Sequence, residues 1–283
     1  MAELLKIMKP LVSVNWLHQH FEATNLIVLD ATLPKVTSKE EEEASEKKVI
    51  PNARFFDLKN FFSKQEAKFP NTILSPKEFE RRAQLIGINK DSCIVVYDDY
   101  GMYSSPRVWW LFKAMGFNNI AVLNGGLPTW VESGYKTETP SKRKFVKGNF
   151  LVSYLEGLIF NHEEVLAKIE DNKFQILDAR SSGRFYGTEQ EPRKEVKKGH
   201  IPKSKSLPYS SLINGVELKS KEELQFLFDE VNPDKKAMIF SCGSGITACV
   251  LALGAEVIGY KNNTVYDGSW TEWGSLPNLP IEI

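Results

Sequence analysis

The sequence predicts an α/β protein made of two similar domains, each a mostly parallel sheet flanked by helices. Three observations lead to this fold class. The chain has 283 residues, which is more than one ordinary domain needs. Short apolar runs typical of buried strands alternate with longer stretches of helical period, a pattern that favours parallel sheets covered by helices. The third observation is an internal repeat, which assigns the same design to both halves.

The repeat matches three segments of the first half with three of the second. One match places Asp30 opposite Asp178, and another places Asp99 opposite Cys242 at an offset of 242 − 99 = 143 residues. The matched segments are 25–31 with 174–179, 94–99 with 238–242, and 122–130 with 265–273. Between the repeats the chain becomes polar and contains Pro140, as linkers do. We therefore predict an N-terminal domain over 1–138, a linker over 139–150 and a C-terminal domain over 151–283.

Several helices are predicted from apolar residues that recur at helical spacing. Two of them have start signals, because Ser75 stands before Pro76 and Ser220 forms a capping box with Glu223. The predicted helices cover residues 75–85, 106–115, 161–170, 220–231 and 247–258. Five tryptophans are assigned to packing in the core and at interfaces: Trp109, Trp110, Trp130, Trp270 and Trp273.

The composition excludes several classes of partner. Acidic and basic residues balance at 36 each, so no overall field attracts nucleic acid or an anionic membrane. No apolar run is long enough to span a membrane, and the N-terminus lacks the pattern of a cleavable leader. The acidic run 39–43 is interpreted as a solvated loop or helical turn. We therefore expect no nucleic-acid or membrane partner.

The cysteines indicate a reducing compartment. The chain has only three, Cys93, Cys242 and Cys249, and they lack the spacing of metal ligands. We expect a cytoplasmic protein that uses no metal and no organic cofactor.

The loop 242–247 carries the candidate chemistry. An apolar strand ends at Cys242, two glycines bracket Ser244, and a helix follows. Glycines let backbone N–H groups turn inward and the helix start adds partial positive charge, so the loop forms an anion-binding nest beside a sulfur. These surroundings favour the reactive thiolate, and we predict a nucleophilic Cys242 rather than a buried structural cysteine. The other loop residues expected to contact a ligand are Gly243, Gly245, Ile246 and Thr247.

Two motifs resemble those of the 3-mercaptopyruvate sulfurtransferases, in the two-domain rhodanese superfamily. One is the loop Cys-Gly-Ser-Gly-Ile-Thr, and the other runs from Asp178 to Arg193 with the pattern Asp-x-Arg-x-x-Gly-Arg-Phe-x-Gly-Thr-Glu-x-Glu-Pro-Arg. The resemblance implies two rhodanese-like domains, of which the first is not catalytic because Asp99 stands at its cysteine position. It also implies that Arg184 and Arg193 hold the carboxylate of a 2-keto acid, and that Tyr103 faces the site.

The implied reaction moves sulfur from 3-mercaptopyruvate to a small thiol or a thioredoxin-like protein through a Cys242 persulfide. Ser244 is expected to donate a hydrogen bond to the substrate or the leaving group. Thiosulfate-preferring rhodaneses carry basic side chains in this loop, whereas no basic residue lies between Cys242 and Ala248. Two alternatives remain: a thiosulfate:cyanide sulfurtransferase, and a non-catalytic rhodanese-like scaffold or redox sensor.

The chain departs from the family at two positions. Relatives of the well-known type carry an Asp and a His that are proposed to align with the loop serine as a protease-like triad. Here Lys59 stands at the position of the Asp, and Asn71 stands near that of the His. We therefore expect no proton relay through Ser244.

Overall fold

The computed structural model describes residues 4–35, 47–141 and 143–283, and the acidic run 39–43 lies outside them. The chain divides into two compact units. Unit 1 comprises Met1–Ser63 and Leu74–Leu155, and unit 2 comprises Lys64–Ile73 and Glu156–Ile283. A ten-residue segment of the first half, 64–73, thus clusters with the second half, and the predicted linker lies within unit 1.

Unit 1 contains a parallel sheet with the strand order β1-β5-β4-β2-β3. Its strands are β1 (Leu11–Val12), β2 (Leu26–Asp30), β3 (Arg54–Phe55), β4 (Cys93–Tyr97) and β5 (Ile120–Leu123). Its helices are α1 (Val14–Gln19), α2 (Pro76–Leu85), α3 (Ser105–Ala114) and α4 (Gly126–Glu132). The apolar run of β4 is buried on both faces, as in the centre of a parallel sheet.

Unit 2 repeats this order, with a parallel sheet arranged β6-β12-β11-β7-β8 and a separate antiparallel hairpin, β9-β10. Its strands are β6 (Ile159–Phe160), β7 (Phe174–Asp178), β8 (Lys205–Ser206), β9 (Ile213–Asn214), β10 (Glu217–Leu218), β11 (Ala237–Ser241) and β12 (Asn263–Tyr266). Its helices are α5 (His162–Leu166), α6 (Ser182–Phe185), the 3₁₀ turn Tyr209–Leu212, α7 (Lys221–Val231), α8 (Ala248–Val257) and α9 (Ser269–Trp273).

The predicted helix starts are confirmed. Ser75 Oγ accepts a hydrogen bond from the Glu78 N–H at 3.3 Å, and Ser220 and Glu223 form both bonds of the capping box. The helix predicted over 161–170 is too long, because α5 ends at Leu166. Beyond it the chain continues in turns, with the Lys168 N–H bonded only three residues back.

Large aromatic side chains fill both units. The five tryptophans assigned to packing are all buried. In unit 1 burial also raises the pKa of the Cys93 thiol to about 12, so this cysteine stays protonated at neutral pH. No helix within the described ranges is long and apolar enough to cross a membrane.

Candidate active site

The carboxyl ends of two neighbouring strands bring the two predicted loops together. β7 and β11 run parallel, with Asp178 opposite Ser241 at their last positions. The Ala179 N–H donates to the Ser241 carbonyl at 2.8 Å, which extends the pairing by one residue. The segment 180–193 and the loop 242–247 therefore start side by side, at the sheet edge where α/β proteins bind ligands.

The loop 242–247 turns tightly between β11 and α8. Gly245 has a φ of 76°, a left-handed conformation that residues with a Cβ rarely adopt. Cys242 is only 1% exposed, so a thiolate there needs N–H groups in place of water. Within the described part of the chain, four N–H groups of the loop donate to no other residue: those of Gly243, Ser244, Ile246 and Thr247.

Ser269 organises this loop, and the sequence analysis did not single it out. Its Oγ accepts hydrogen bonds from the N–H groups of Cys242 and Gly245, both at 3.1 Å, and lies 3.9 Å from Cys242 Sγ. It also lies 2.9 Å from the Tyr266 carbonyl. Ser269 adopts a left-handed φ of 51°, and Gly126, with a φ of 54°, holds the matching place 269 − 126 = 143 residues earlier. The sequence signal that could have singled out Ser269 is that a serine stands where the first half of the repeat has a glycine.

Ser269→Gly is expected to keep the backbone conformation and to remove the acceptor for two loop N–H groups. The lost hydrogen bonds lower stability and the removal of the strained Cβ offsets part of that loss, so we expect a net decrease of about 1 kcal/mol or less in the free energy of unfolding. Ser269→Ala should be about 1–2 kcal/mol less stable again, because alanine is strained in the left-handed conformation. Denaturant unfolding of the three proteins checks the order, and an alanine variant as stable as the glycine variant would contradict it.

Arg184 presents one edge of its guanidinium to the loop. Its Nε and Nη2 donate to the two Glu191 carboxylate oxygens at 3.2 and 2.6 Å, a bidentate pair. A Cβ added to Gly243 would lie 3.2 Å from Arg184 Nη2 and 3.8 Å from Nη1. The Nη1–Nη2 edge therefore faces the loop at a position where no side chain crowds it.

Glu191 links Arg184 to a buried ion-pair network and was also not singled out from the sequence. It accepts from Arg180 Nη1 at 2.8 Å, and Arg180 is fully enclosed. Arg180 Nη2 donates to Asp178 at 2.7 Å, and its guanidinium lies 4.4 Å from the centre of the Trp270 ring. Arg180 and Asp178 thus form a buried ion pair, and Arg180 in turn holds the Glu191 carboxylate that orients Arg184.

Arg193 reaches the loop through an intermediate residue. Its Nη1 donates to Thr271 Oγ1 at 3.1 Å. Both the hydroxyl and the N–H of Thr271 donate to the Gly243 carbonyl, the N–H at 2.9 Å. Arg193 therefore lies beside the loop and contacts its backbone through Thr271, and its contact with a substrate stays a prediction.

Ser244 is contacted by Asn71, the residue that stands near the family's histidine position. Asn71 Nδ2 donates to Ser244 Oγ at 3.1 Å and to the Ser244 carbonyl at 3.3 Å. Both residues belong to unit 2, because the segment 64–73 clusters there. Lys59 lies in unit 1 and is exposed. His200 is buried with Nδ1 at 3.0 Å from the Phe185 carbonyl, which is a structural role.

In the matching loop of unit 1, the carboxylate of Asp98 occupies the backbone N–H groups. Asp98 Oδ2 accepts from the N–H groups of Tyr103, Ser104 and Ser105, each at 2.9 Å, and from the Ser105 hydroxyl. Donors that could hold an external anion at the start of α3 are therefore already used. Tyr103 lies in unit 1, with its ring near Tyr100, and its contact with a substrate stays a prediction.

Asp99, at the cysteine position of unit 1, has a carboxylate whose ionised form is disfavoured by its surroundings. Burial raises the pKa of Asp99 to about 6, and the Asp30 carboxylate adds to the rise. Its buried Oδ1 has no hydrogen-bond partner among the described residues. An acid whose pKa is raised by folding destabilises the folded state as it ionises. That penalty is absent below the unfolded pKa near ~3.9 and complete above about pH 6.

Asp99→Asn is therefore expected to stabilise the protein at pH 7. Because Asp99 is partly exposed, solvent screening reduces the expected gain to about 1 kcal/mol in the free energy of unfolding. The gain should vanish at pH 4, where the aspartate is protonated. Denaturant unfolding at the two pH values checks this, and equal gains at both would show that ionisation is not the cause.

No group of three or more His, Cys, Asp or Glu side chains suited to a metal ion occurs among residues 4–35, 47–141 and 143–283. The site consists instead of a cysteine at a strand end, an N–H-lined loop and an arginine edge. This arrangement lies on a parallel sheet, and the strand order of that sheet is repeated in both units. It defines a two-domain α/β protein with a candidate nucleophilic cysteine at the end of a strand.

The rhodanese-like domain family matches residues 13–133 and 161–276, and the chain belongs to this family. The Arabidopsis thaliana protein named thiosulfate/3-mercaptopyruvate sulfurtransferase 1, mitochondrial, is 36% identical over 97% of this chain and 78% of its own length. The 3-mercaptopyruvate sulfurtransferase of Rattus norvegicus is 35% identical over 95% of this chain and 93% of its own. The crystal structure of SseA, a 3-mercaptopyruvate sulfotransferase from Escherichia coli, is similar with a TM-score of 0.82 and 28% identity, covering 93% and 99% of the two chains.

These relatives confirm the resemblance and the fold predicted from the sequence, two rhodanese-like α/β domains. They also confirm the enzyme class that the resemblance implies, a transferase like the 3-mercaptopyruvate sulfurtransferases.

Proposed function

We propose that the protein takes the sulfur of 3-mercaptopyruvate onto Cys242 and passes it to a thiol acceptor. The observation that carries this proposal is the Nη1–Nη2 edge of Arg184, which faces the loop 242–247 at Gly243. That edge matches a carboxylate in shape and charge. A donor held there by its carboxylate brings its sulfur to the loop that begins with Cys242.

The proposed chemistry has two steps. Cys242 thiolate attacks the donor sulfur, an S–S bond forms as the C–S bond breaks, and the electron pair of that bond leaves on the enolate of pyruvate. The enolate takes a proton from solvent, and Cys242 holds the outer sulfur as a persulfide. A thiolate acceptor then attacks the outer sulfur and restores the Cys242 thiolate, which gives ping-pong kinetics.

The loop stabilises the charges of both steps. The unengaged N–H groups of residues 243, 244, 246 and 247 supply donors to the thiolate and the persulfide without any reorganisation. Ser244 contributes a neutral hydroxyl. Arg193 supports this surface through Thr271 and the Gly243 carbonyl.

Thiosulfate is the second candidate donor, since the Arabidopsis relative is named for both donors. The absence of a basic side chain within residues 242–248 favours the monocarboxylate donor over the dianion. A small thiol or a thioredoxin-like protein is the proposed acceptor. We place the protein in the cytoplasm on its sparse cysteines, although the Arabidopsis relative is named as mitochondrial.

Intact-mass measurement tests the proposal directly. The protein is treated with 3-mercaptopyruvate and with thiosulfate in parallel, and a gain of one sulfur, about 32 Da, is sought on Cys242. We expect loading from 3-mercaptopyruvate at lower concentration than from thiosulfate. Preferential loading from thiosulfate would support the thiosulfate:cyanide sulfurtransferase. A protein that loads from neither would be a scaffold or sensor.

A further inference from the structure

Asn71 is held in place by its neighbours in unit 2. The Ile73 N–H donates to Asp267 Oδ2 at 2.9 Å, and the Lys64 N–H closes the segment on the Thr72 carbonyl at 2.9 Å. Asn71 itself adopts a left-handed φ of 59°, a conformation in which asparagine is enriched. Its side chain is therefore directed by fixed backbone.

The contacts of Asn71 fix which end of its amide faces Ser244. A carbonyl oxygen can only accept, so the group 3.3 Å from the Ser244 carbonyl is the NH₂ and not the oxygen. That NH₂ has two hydrogens, and the second is donated to Ser244 Oγ at 3.1 Å. Ser244 Oγ therefore accepts from Asn71, and its own hydrogen remains to be donated elsewhere.

An amide differs from an imidazole in what it can do for a hydroxyl. The amide nitrogen has no basic lone pair and does not titrate near neutral pH, so it cannot remove the Ser244 proton. It can only orient the hydroxyl. Ser244 thus becomes a fixed hydrogen-bond donor beside the N–H groups of its own loop, at 7% exposure.

We infer that Asn71 is a positioning residue that holds the Ser244 hydroxyl as a donor to the bound sulfur donor, in place of a proton relay. This inference rests on the proposed function. The oxygen that receives the hydrogen bond is the one that gains negative charge as the C–S bond breaks, the enolate oxygen of the leaving pyruvate. Ser244 keeps its proton throughout the reaction.

The test is a double-mutant cycle between Asn71→Gly and Ser244→Ala. Glycine keeps the left-handed conformation and removes only the amide. Asn71→Gly should lower kcat/KM about tenfold, mainly through kcat, and should change it less than twofold in the Ser244→Ala background. Asn52→Gly is the matched control, because Asn52 has a φ of 60° and bonds Arg143 instead. It should leave kcat/KM unchanged.

A second variant changes the pH dependence of the rate, which a purely structural role of Asn71 would leave unchanged. Asn71→His places a titratable group against Ser244, and histidine tolerates the left-handed conformation. Its rate should gain a second titration, near the usual histidine pKa of about 6.5, on top of the pH profile of the wild type, and Ser244→Ala should remove that added titration.

The outcomes separate this inference from the proposed function. Equal losses for Asn71→Gly with and without Ser244 would overturn it in favour of a structural role. It is also overturned if Asn71→Gly matches a wild type that loads sulfur normally. A wild type that loads from neither 3-mercaptopyruvate nor thiosulfate overturns the proposed function, and this inference with it.

Discussion

Cys242→Ser is expected to abolish turnover and sulfur loading while leaving the fold intact. A serine oxygen is smaller than sulfur and fits the site, so the N–H bond from residue 242 to Ser269 is kept. A neutral hydroxyl does not attack the donor sulfur, and no persulfide forms. We expect a loss of more than ~10³-fold in kcat, with a far-UV circular dichroism spectrum and a thermal midpoint close to those of the wild type.

Cys93→Ala is the matched control for this substitution. Burial in β4 raises the pKa of the Cys93 thiol to about 12, so this cysteine is protonated and enclosed at neutral pH. Its replacement should leave loading unchanged. Sulfur found on Cys93 or Cys249 in the Cys242→Ser protein would overturn the assignment of the nucleophile.

Arg184→Lys is expected to lower kcat/KM for 3-mercaptopyruvate at least tenfold, which corresponds to about 1.4 kcal/mol. Lysine keeps the charge but offers no planar edge, so it cannot bind Glu191 and a substrate carboxylate at the same time. Arg193→Lys should lose less, because Arg193 meets the loop through Thr271. Steady-state kinetics of both variants with 3-mercaptopyruvate give the comparison.

Arg81→Lys controls for the loss of a bidentate arginine pair as such. Arg81 donates Nε and Nη2 to Glu78 at 2.9 and 2.7 Å, the same arrangement as Arg184 with Glu191. Arg81 lies in α2 of unit 1, and its replacement should leave kcat/KM for 3-mercaptopyruvate unchanged. Wild-type kinetics for both Arg184→Lys and Arg193→Lys would mean that the substrate carboxylate is held elsewhere.

Much of the fold could be predicted because its signals are local. The matched segments of the repeat overlap β2, β4, β7 and β11, and the prediction of one design for both halves agrees with the strand order that the two sheets share. Ser75 and Ser220 marked helix starts through bonds that span three residues. The end of α5 was missed, since turns bonded three residues back replace the helix without any change in composition.

The same difference between local and long-range signals applies to the candidate site. The strand–loop–helix around Cys242 could be predicted from the residues, and the arginine segment from the resemblance to the family, because each is a continuous stretch of chain. Contacts between residues far apart in the chain could be identified only in the folded structure. Ser269 meets Cys242 from 27 residues away, and Asn71 meets Ser244 from 173 residues away. A single sequence does not show which residues far apart in the chain lie close together in space. Folding brings these pairs within hydrogen-bonding distance.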